Sequence, residues 1–268
     1  MAREIGMKEM WKPVLAEFVG TALLVTVGVS IVILDFGKGS PVAAWLPSAG
    51  ARRLLTGFLF GCTGAAIAVS WVGKVSGAHI NPVVSGAFWM LGKLRGRHAL
   101  ANMVAQCAGG LAGALPLLAW GAMGRSVQFG ATTPGPAFGD WMAVAGEVAT
   151  TVVLIMGLLV FVGHKRLRGF TPAIFPPMYA LMVFLEAPVS GTSTNPARSL
   201  GPMVMAGVWQ GWWVYWVGPV LGMALGVALY KSVLFENFDV EVAKVYHFAH
   251  DPEGLFGVAK EMAEPVEG

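Results

Sequence analysis

Two stretches of this 268-residue chain carry the same kinds of residue in the same order. They are Ser76-Gly77-Ala78-His79-Ile80-Asn81-Pro82-Val83 and Ser190-Gly191-Thr192-Ser193-Thr194-Asn195-Pro196-Ala197-Arg198. Asn favours the helix N-cap and Pro the first helical position. Each copy therefore reads as an extended loop turning into a helix, at about 83–91 and 197–208. Ten helical residues rise only ~15 Å, about half of a ~30 Å hydrocarbon core. Two such half-helices, one from each side, would meet tip to tip at the membrane midplane, as in channels and transporters built on inverted repeats.

That arrangement has a definite chemistry. If the side-chain oxygens of Asn81 and Asn195 cap their own helices, their NH₂ groups turn toward the lumen. Two donors then hold a passing water by its oxygen. Each helix N-terminus adds roughly half a positive charge, which opposes a proton or cation and leaves a neutral solute untouched. Irregular backbone at membrane depth is tolerated only against protein or a wet cavity. The carbonyls of Gly77, Ala78, His79, Ile80, Gly191, Thr192, Ser193 and Thr194 thus read as a ladder of acceptors. The His79 side chain reads as a loop-fixing hydrogen-bonder in preference to a pore gate.

Three acids stand out. An acid central in a span costs about 2.5–3.5 kcal/mol on an insertion scale, so Glu17 and Glu147 require a reason. A proton relay is one. The preferred one is that each carboxylate accepts N–H groups from a re-entrant loop, since two symmetric loops need such support. Glu186 has no counterpart in the first half; near the outer mouth it either orients solutes or faces solvent. Arg198, after the second Asn-Pro-Ala, is a fixed charge with several donors that repels cations and hydrogen-bonds neutral polar solutes.

The surrounding sequence is that of a membrane protein. Hydrophobic residues make up 56% and charged residues 12%, with mean hydropathy +0.66, whereas soluble domains are nearer a quarter charged. The net charge is +3 with no basic stripe, so no nucleic-acid partner is expected. Cys62 and Cys107 lie in apolar segments and read as small hydrophobes. The His residues are scattered, and no metal-ligand spacing or nucleophile elbow occurs. Neither an enzyme nor a metal or other cofactor is expected. The first twelve residues include Glu4 and Glu9 and have no apolar core, so no cleavable signal is expected.

Six spans follow, at about 11–34, 54–72, 99–120, 138–162, 172–185 and 209–234, the fifth short. Gly/Pro-rich connections occupy 36–50 and 121–139. Thirteen Lys and Arg fall on one side and four on the other, with Arg198 set aside, which places both termini in the cytoplasm. The halves repeat beyond the Asn-Pro pair: Ala16-Glu17 in span one matches Gly146-Glu147 in span four. Glycines recur every fourth residue at Gly57 and Gly61, at Gly109 and Gly113, and at Gly218, Gly222 and Gly226, a spacing that lets helices approach closely in lipid. Three spans per half make the repeat inverted. The expected fold is an all-α membrane protein with six transmembrane helices and two re-entrant half-helices. Its channel domain covers 1–234, with repeats at about 11–120 and 138–234, and a cytoplasmic tail covers 235–268.

With these motifs, joined by Ala105-Gln106-x-x-Gly109 and Trp216-Val217-Gly218-Pro219, the chain resembles the aquaporin, or major intrinsic protein, family over about 11–234. The midplane barrier described above is the one described for aquaporin-type pores generally. The resemblance implies a pore through each subunit, a homotetramer in a plasma or inner membrane, and passive passage of water and small uncharged solutes without protons or ions. Val83 departs from the family's usual Ala and bears on midplane width. By family spacing from the two Asn residues, the selectivity constriction comprises Gly61, Val183, Thr192 and Arg198. An aromatic is absent at the first position and His at the second. The set resembles plant Nod26-like intrinsic proteins and implies an opening wide enough for glycerol, urea or metalloid hydroxides. Tyr215-Trp216 and Ser199 resemble the water-channel subgroup instead, so strict water selectivity stays open. A secondary transporter with broken helices is the alternative of another class, although no acid flanks either Asn-Pro.

Overall fold

A computed structural model describes residues 7–232 and 238–246. The chain begins with α1 (Met7–Leu23), which runs through one π-helical turn (Leu24–Gly28) into α2 (Val29–Phe36). A short α3 (Pro41–Trp45) precedes α4 (Ala49–Val69) and α5 (Trp71–Ser76). The first half-helix is α6 (Pro82–Met90), followed by α7 (Gly96–Ala114), a 3₁₀ segment (Leu115–Trp120) and α8 (Gly121–Ser126). The second half comprises α9 (Asp140–Gly163), α10 (Thr171–Glu186), the half-helix α11 (Pro196–Ala206) and α12 (Val214–Tyr230). No strand occurs among the described residues. The fold is that of an all-α membrane protein with two half-helices.

Four rods are long and apolar enough to cross a membrane: Met10–Phe36, Ala49–Val69, Gly96–Ser126 and Asp140–Gly163. Helices α10 and α12 have 16 and 17 residues, a rise of ~24–26 Å. The sixth element is thus shorter than its 209–234 apolar run. The expected 36–50 and 121–139 connections contain α3 and α8, each a single short helix. The π turn was not foreseen. Of the expected tail, 233–237 and 247–268 lie outside the described residues, while 238–246 packs against the helices.

Pairing follows a pseudo-twofold: α1 lies against α7, α9 against α12, and α4 against α10. Glycine makes the close approaches possible. A Cβ on Gly218 would lie 2.5 Å from Glu147 Cβ, and one on Gly222 would lie 2.7 Å from Thr151 Cβ. Gly109 and Gly113 meet the backbones of Phe18 and Ala22. Because lipid gives little drive to helix association, such backbone-level packing supplies much of it.

Local chemistry explains how the first re-entrant loop begins. Ser70 interrupts α4 with ψ −177° and caps α5 by accepting Val72 N–H at 3.1 Å. Gly77, at φ 87°, ends α5 in the left-handed region, where an L-residue is disfavoured. The chain is thereby turned back toward the interior, with Asn81 as its next cap.

Candidate functional site

Both Asn-Pro pairs form caps. Asn81 Oδ1 accepts Val83 N–H at 3.1 Å, and Asn195 Oδ1 accepts the N–H groups of Ala197 at 3.0 Å and Arg198 at 3.2 Å. Pro82 and Pro196 occupy the first helical positions. The NH₂ groups do more than face the lumen: Asn81 Nδ2 donates to Thr194 O, and Asn195 Nδ2 donates to Ile80 O, both at 2.9 Å. Each asparagine thus binds the residue preceding the other. One N–H of each amide is spent on this cross-brace and the second is left over. Both residues are 4% exposed. Val83 is buried in the main core cluster, with Val84 beside it on the inner cavity; Ala197 is fully buried against Gly110.

The loops before them share one backbone pattern. Gly77, Ala78 and Ile80 have φ of 87°, 51° and 44°; Gly191, Thr192 and Thr194 have 89°, 52° and 52°. β-Branched residues rarely adopt such angles, and each costs of order 1–3 kcal/mol unless its surroundings enforce it. The acids do the enforcing. Glu17 accepts His79 N–H at 2.9 Å and Ile80 N–H at 2.6 Å. Glu147 accepts Ser193 N–H and Thr194 N–H, both at 2.7 Å. Further donors complete each carboxylate: Gln106 Nε2 on Glu17 at 2.7 Å, and Ser190 Oγ on Glu147 at 2.6 Å. These contacts are the geometry of loop support.

Several ladder carbonyls have protein partners. Those of Ile80 and Thr194 serve the cross-brace, Ser193 O accepts Thr194 Oγ at 2.7 Å, and Gly77 O accepts Val245 N–H at 2.9 Å. His79 is fixed on both sides. Its Nε2 faces Ala243 O at 2.9 Å and its Nδ1 faces Ser85 Oγ at 3.0 Å. A carbonyl only accepts, so Nε2 carries the proton and Nδ1 accepts from Ser85. In the second loop Ser193 Oγ lies 2.5 Å from Ser199 Oγ, the same offset from its Asn as Ser85.

Two cavities flank the cross-brace. The outer one, about 400 Å³, is bordered by Val183, Thr192 and Arg198, with Phe60 and Tyr179. The inner one, about 50 Å³, is bordered by Asn81, Asn195, His79 and Val245, and again by Phe60 and Tyr179. Those two rings, 5.8 Å apart, are therefore the neck between the cavities. Arg198 is 5% exposed; it donates to Gly130 O at 2.9 Å, and its guanidinium carbon is 5.9 Å from the Phe60 ring centre. Thr192 donates its hydroxyl to Glu186 Oε2 at 2.6 Å. Glu186 is thus a buried partner of Thr192, not a solvent-facing acid.

Residues 4–230 match the major intrinsic protein family. The chain belongs to that family. It is 32% identical over 243 residues to the Probable aquaporin PIP2-7 of Oryza sativa subsp. japonica, covering 86% of this chain and 82% of that one. Against Aquaporin AqpM of Methanothermobacter marburgensis it is 30% identical over 247 residues, covering 86% and 100%. Its fold matches the aquaglyceroporin from Plasmodium falciparum at TM-score 0.67 and 19% identity, covering 84% of this chain and 97% of that one. Membership of this family of channels makes the chain an integral membrane protein and not an enzyme.

For this major intrinsic protein one expected residue needs correction. Gly61 does not border the outer cavity with Val183, Thr192 and Arg198. Its α-carbon faces α10, where a Cβ would lie 2.5 Å from Phe175 O, and it borders the inner cavity. Phe60 takes the place beside Arg198. The cue was present in the sequence. Gly57 and Gly61 share one helix face, and that face is spent on α10, so the neighbouring Phe60 is turned toward the lumen. Tyr179, one turn before Val183, was not singled out in the sequence, and α10 presents both to the same cavity.

Proposed function

We propose that the chain is a passive channel for water and small uncharged solutes that excludes protons and ions. The observation that carries this reading is the cross-brace of Asn81 and Asn195. It fixes two half-helix N-termini against one point and leaves an N–H on each amide. Water passing there is held by its oxygen, which breaks a proton-relaying chain, while the two helix dipoles oppose cations. Arg198 adds a second positive barrier toward the outer cavity.

The solute range follows from the neck. The rings of Phe60 and Tyr179 with Val183 give an apolar wall; Arg198, Thr192 and the loop carbonyls give a polar one. An amphipathic neutral molecule such as glycerol or urea presents both kinds of surface. Phe60 narrows what Gly61 alone would leave open, so width rests on Val183, which supplies neither the bulk nor the donor of His. The two rings favour a second reading, strict water selectivity. Proteoliposomes tested with water, glycerol, urea and boric acid separate the two: glycerol flux above that of empty vesicles supports the broader range, and water flux alone supports the narrower. The reading includes a homotetramer, both termini in the cytoplasm and a plasma or inner membrane, supported by the distribution of Lys and Arg and by the family.

A further inference from the structure

The segment 238–246 crosses the inner end of the first re-entrant loop. It is tied to the ends of two helices: Asp239 N–H donates to Gly163 O at 3.1 Å, and Tyr230 OH donates to Phe238 O at 3.1 Å. At its other end it is tied to the loop itself. Val245 N–H takes Gly77 O, and Ala243 O takes His79 Nε2–H, each at 2.9 Å. Between these points Val240, Ala243 and Val245 are 3%, 0% and 4% exposed and join the cluster that holds Ala78, Ile80, Leu158 and Val162. Val245 borders the inner cavity together with both asparagines.

That contact also reaches the loop's support. Gln106 Nε2 donates to Glu17 Oε2 at 2.7 Å and to Ser85 Oγ at 3.0 Å; Ser85 donates to His79, and His79 to Ala243 O. The carbonyl of the segment is the last acceptor in a buried chain of donors that begins at Gln106, whose other N–H is held by the acid bracing the loop. Gly77 O, one of the acceptors expected to serve solute, is occupied by Val245. The cavity left on this side is about 50 Å³ against about 400 Å³ outside; one water needs ~10–15 Å³ of such space, so this side holds only a few.

We propose that residues 238–246 are an autoinhibitory strap: docked, it closes the inner mouth of the channel, and undocked, it opens that mouth. The inference rests on the channel reading above. The strap is built to come away. Two ion pairs that tie it down, Arg168–Glu241 at 2.8 Å and Lys93–Asp239 at 3.4 Å, are part-exposed and hold weakly. The loop it covers is independently braced by Glu17 and Asn195, so its departure leaves the midplane standing.

The test compares full-length protein with Ala243→Glu, which forces a charge into a fully buried strap position. A second variant, Asp239→Lys with Glu241→Lys, sets like charges against Lys93 and Arg168 from exposed sites and carries no burial penalty. Hydrogen exchange of the 238–246 peptide reports docking, and stopped-flow light scattering reports water permeability per reconstituted protein. Protection in the wild type, its loss in the variants, and a rise in permeability of about tenfold, the factor expected when a closed state holding roughly nine-tenths of the population is abolished, would support the strap. Equal, non-zero permeability of wild type and an undocked variant would overturn the strap and leave the channel reading intact. An unprotected wild-type segment would overturn it too. No water flux in any of the proteins would overturn both.

Discussion

The two re-entrant loops use one device and meet two different environments. Each has a Ser-Gly entry, left-handed backbone at matched positions, an acid taking two loop amides, and an asparagine braced on the other loop. Beyond the device they diverge. The second loop opens on a wide cavity with Arg198 and with Thr192, whose hydroxyl is held by Glu186. The first is covered by the 238–246 segment, which binds the His79 ring and Gly77 O. The shared residues build the midplane; the unshared ones give each mouth its own character.

Removing the shared support should have the largest effect. Glu17→Ala and Glu147→Ala each strand two buried backbone N–H groups and one side-chain donor. At about 1–3 kcal/mol per unsatisfied group, both variants should lose most folded protein in detergent and nearly all water flux. If one loop tolerated the change and the other did not, the supports would not be equivalent. Glutamine at either place keeps one acceptor and should lose less.

The contrast between Gly61 and Phe60 comes next. Gly61→Ala drives a Cβ against the α10 backbone, an overpacking cost of about 1–3 kcal/mol, and should lower thermal stability while leaving solute preference alone. Phe60→Ala should also lower stability, since its ring is buried in the main cluster, but it should change preference as well, raising glycerol flux severalfold over water flux. Exchanged outcomes would return the constriction to Gly61. The smallest effect belongs to Val183→His, which adds bulk and a donor at the outer ring. It should lower glycerol flux by a few fold and water flux less, in the same stopped-flow assay.

Much of this was legible in the sequence because it depends on local residue chemistry. The Asn-Pro caps, the half-helices and the paired acids are each set by residue type and spacing, and the duplication confirmed their partnership. Phe60 was passed over because family spacing, counted back from Asn81, pointed to Gly61, and the count alone does not show that Gly61 faces α10. The cross-brace was not legible, since it joins residues more than a hundred positions apart. Nor was the docking of 238–246: its Val240, Ala243 and Val245 follow no helical period, and their burial depends on the groove that the first loop leaves.

The central claim is that the paired asparagines form a passive pore that carries water without protons. It is tested most directly by osmotic shrinkage of proteoliposomes over a temperature series, with a pH-sensitive dye inside. The account predicts water flux that rises linearly with the osmotic gradient, an activation energy close to that of water self-diffusion, and no protein-dependent proton leak. Saturating flux with a steep temperature dependence, or a proton current that scales with the protein, would contradict it.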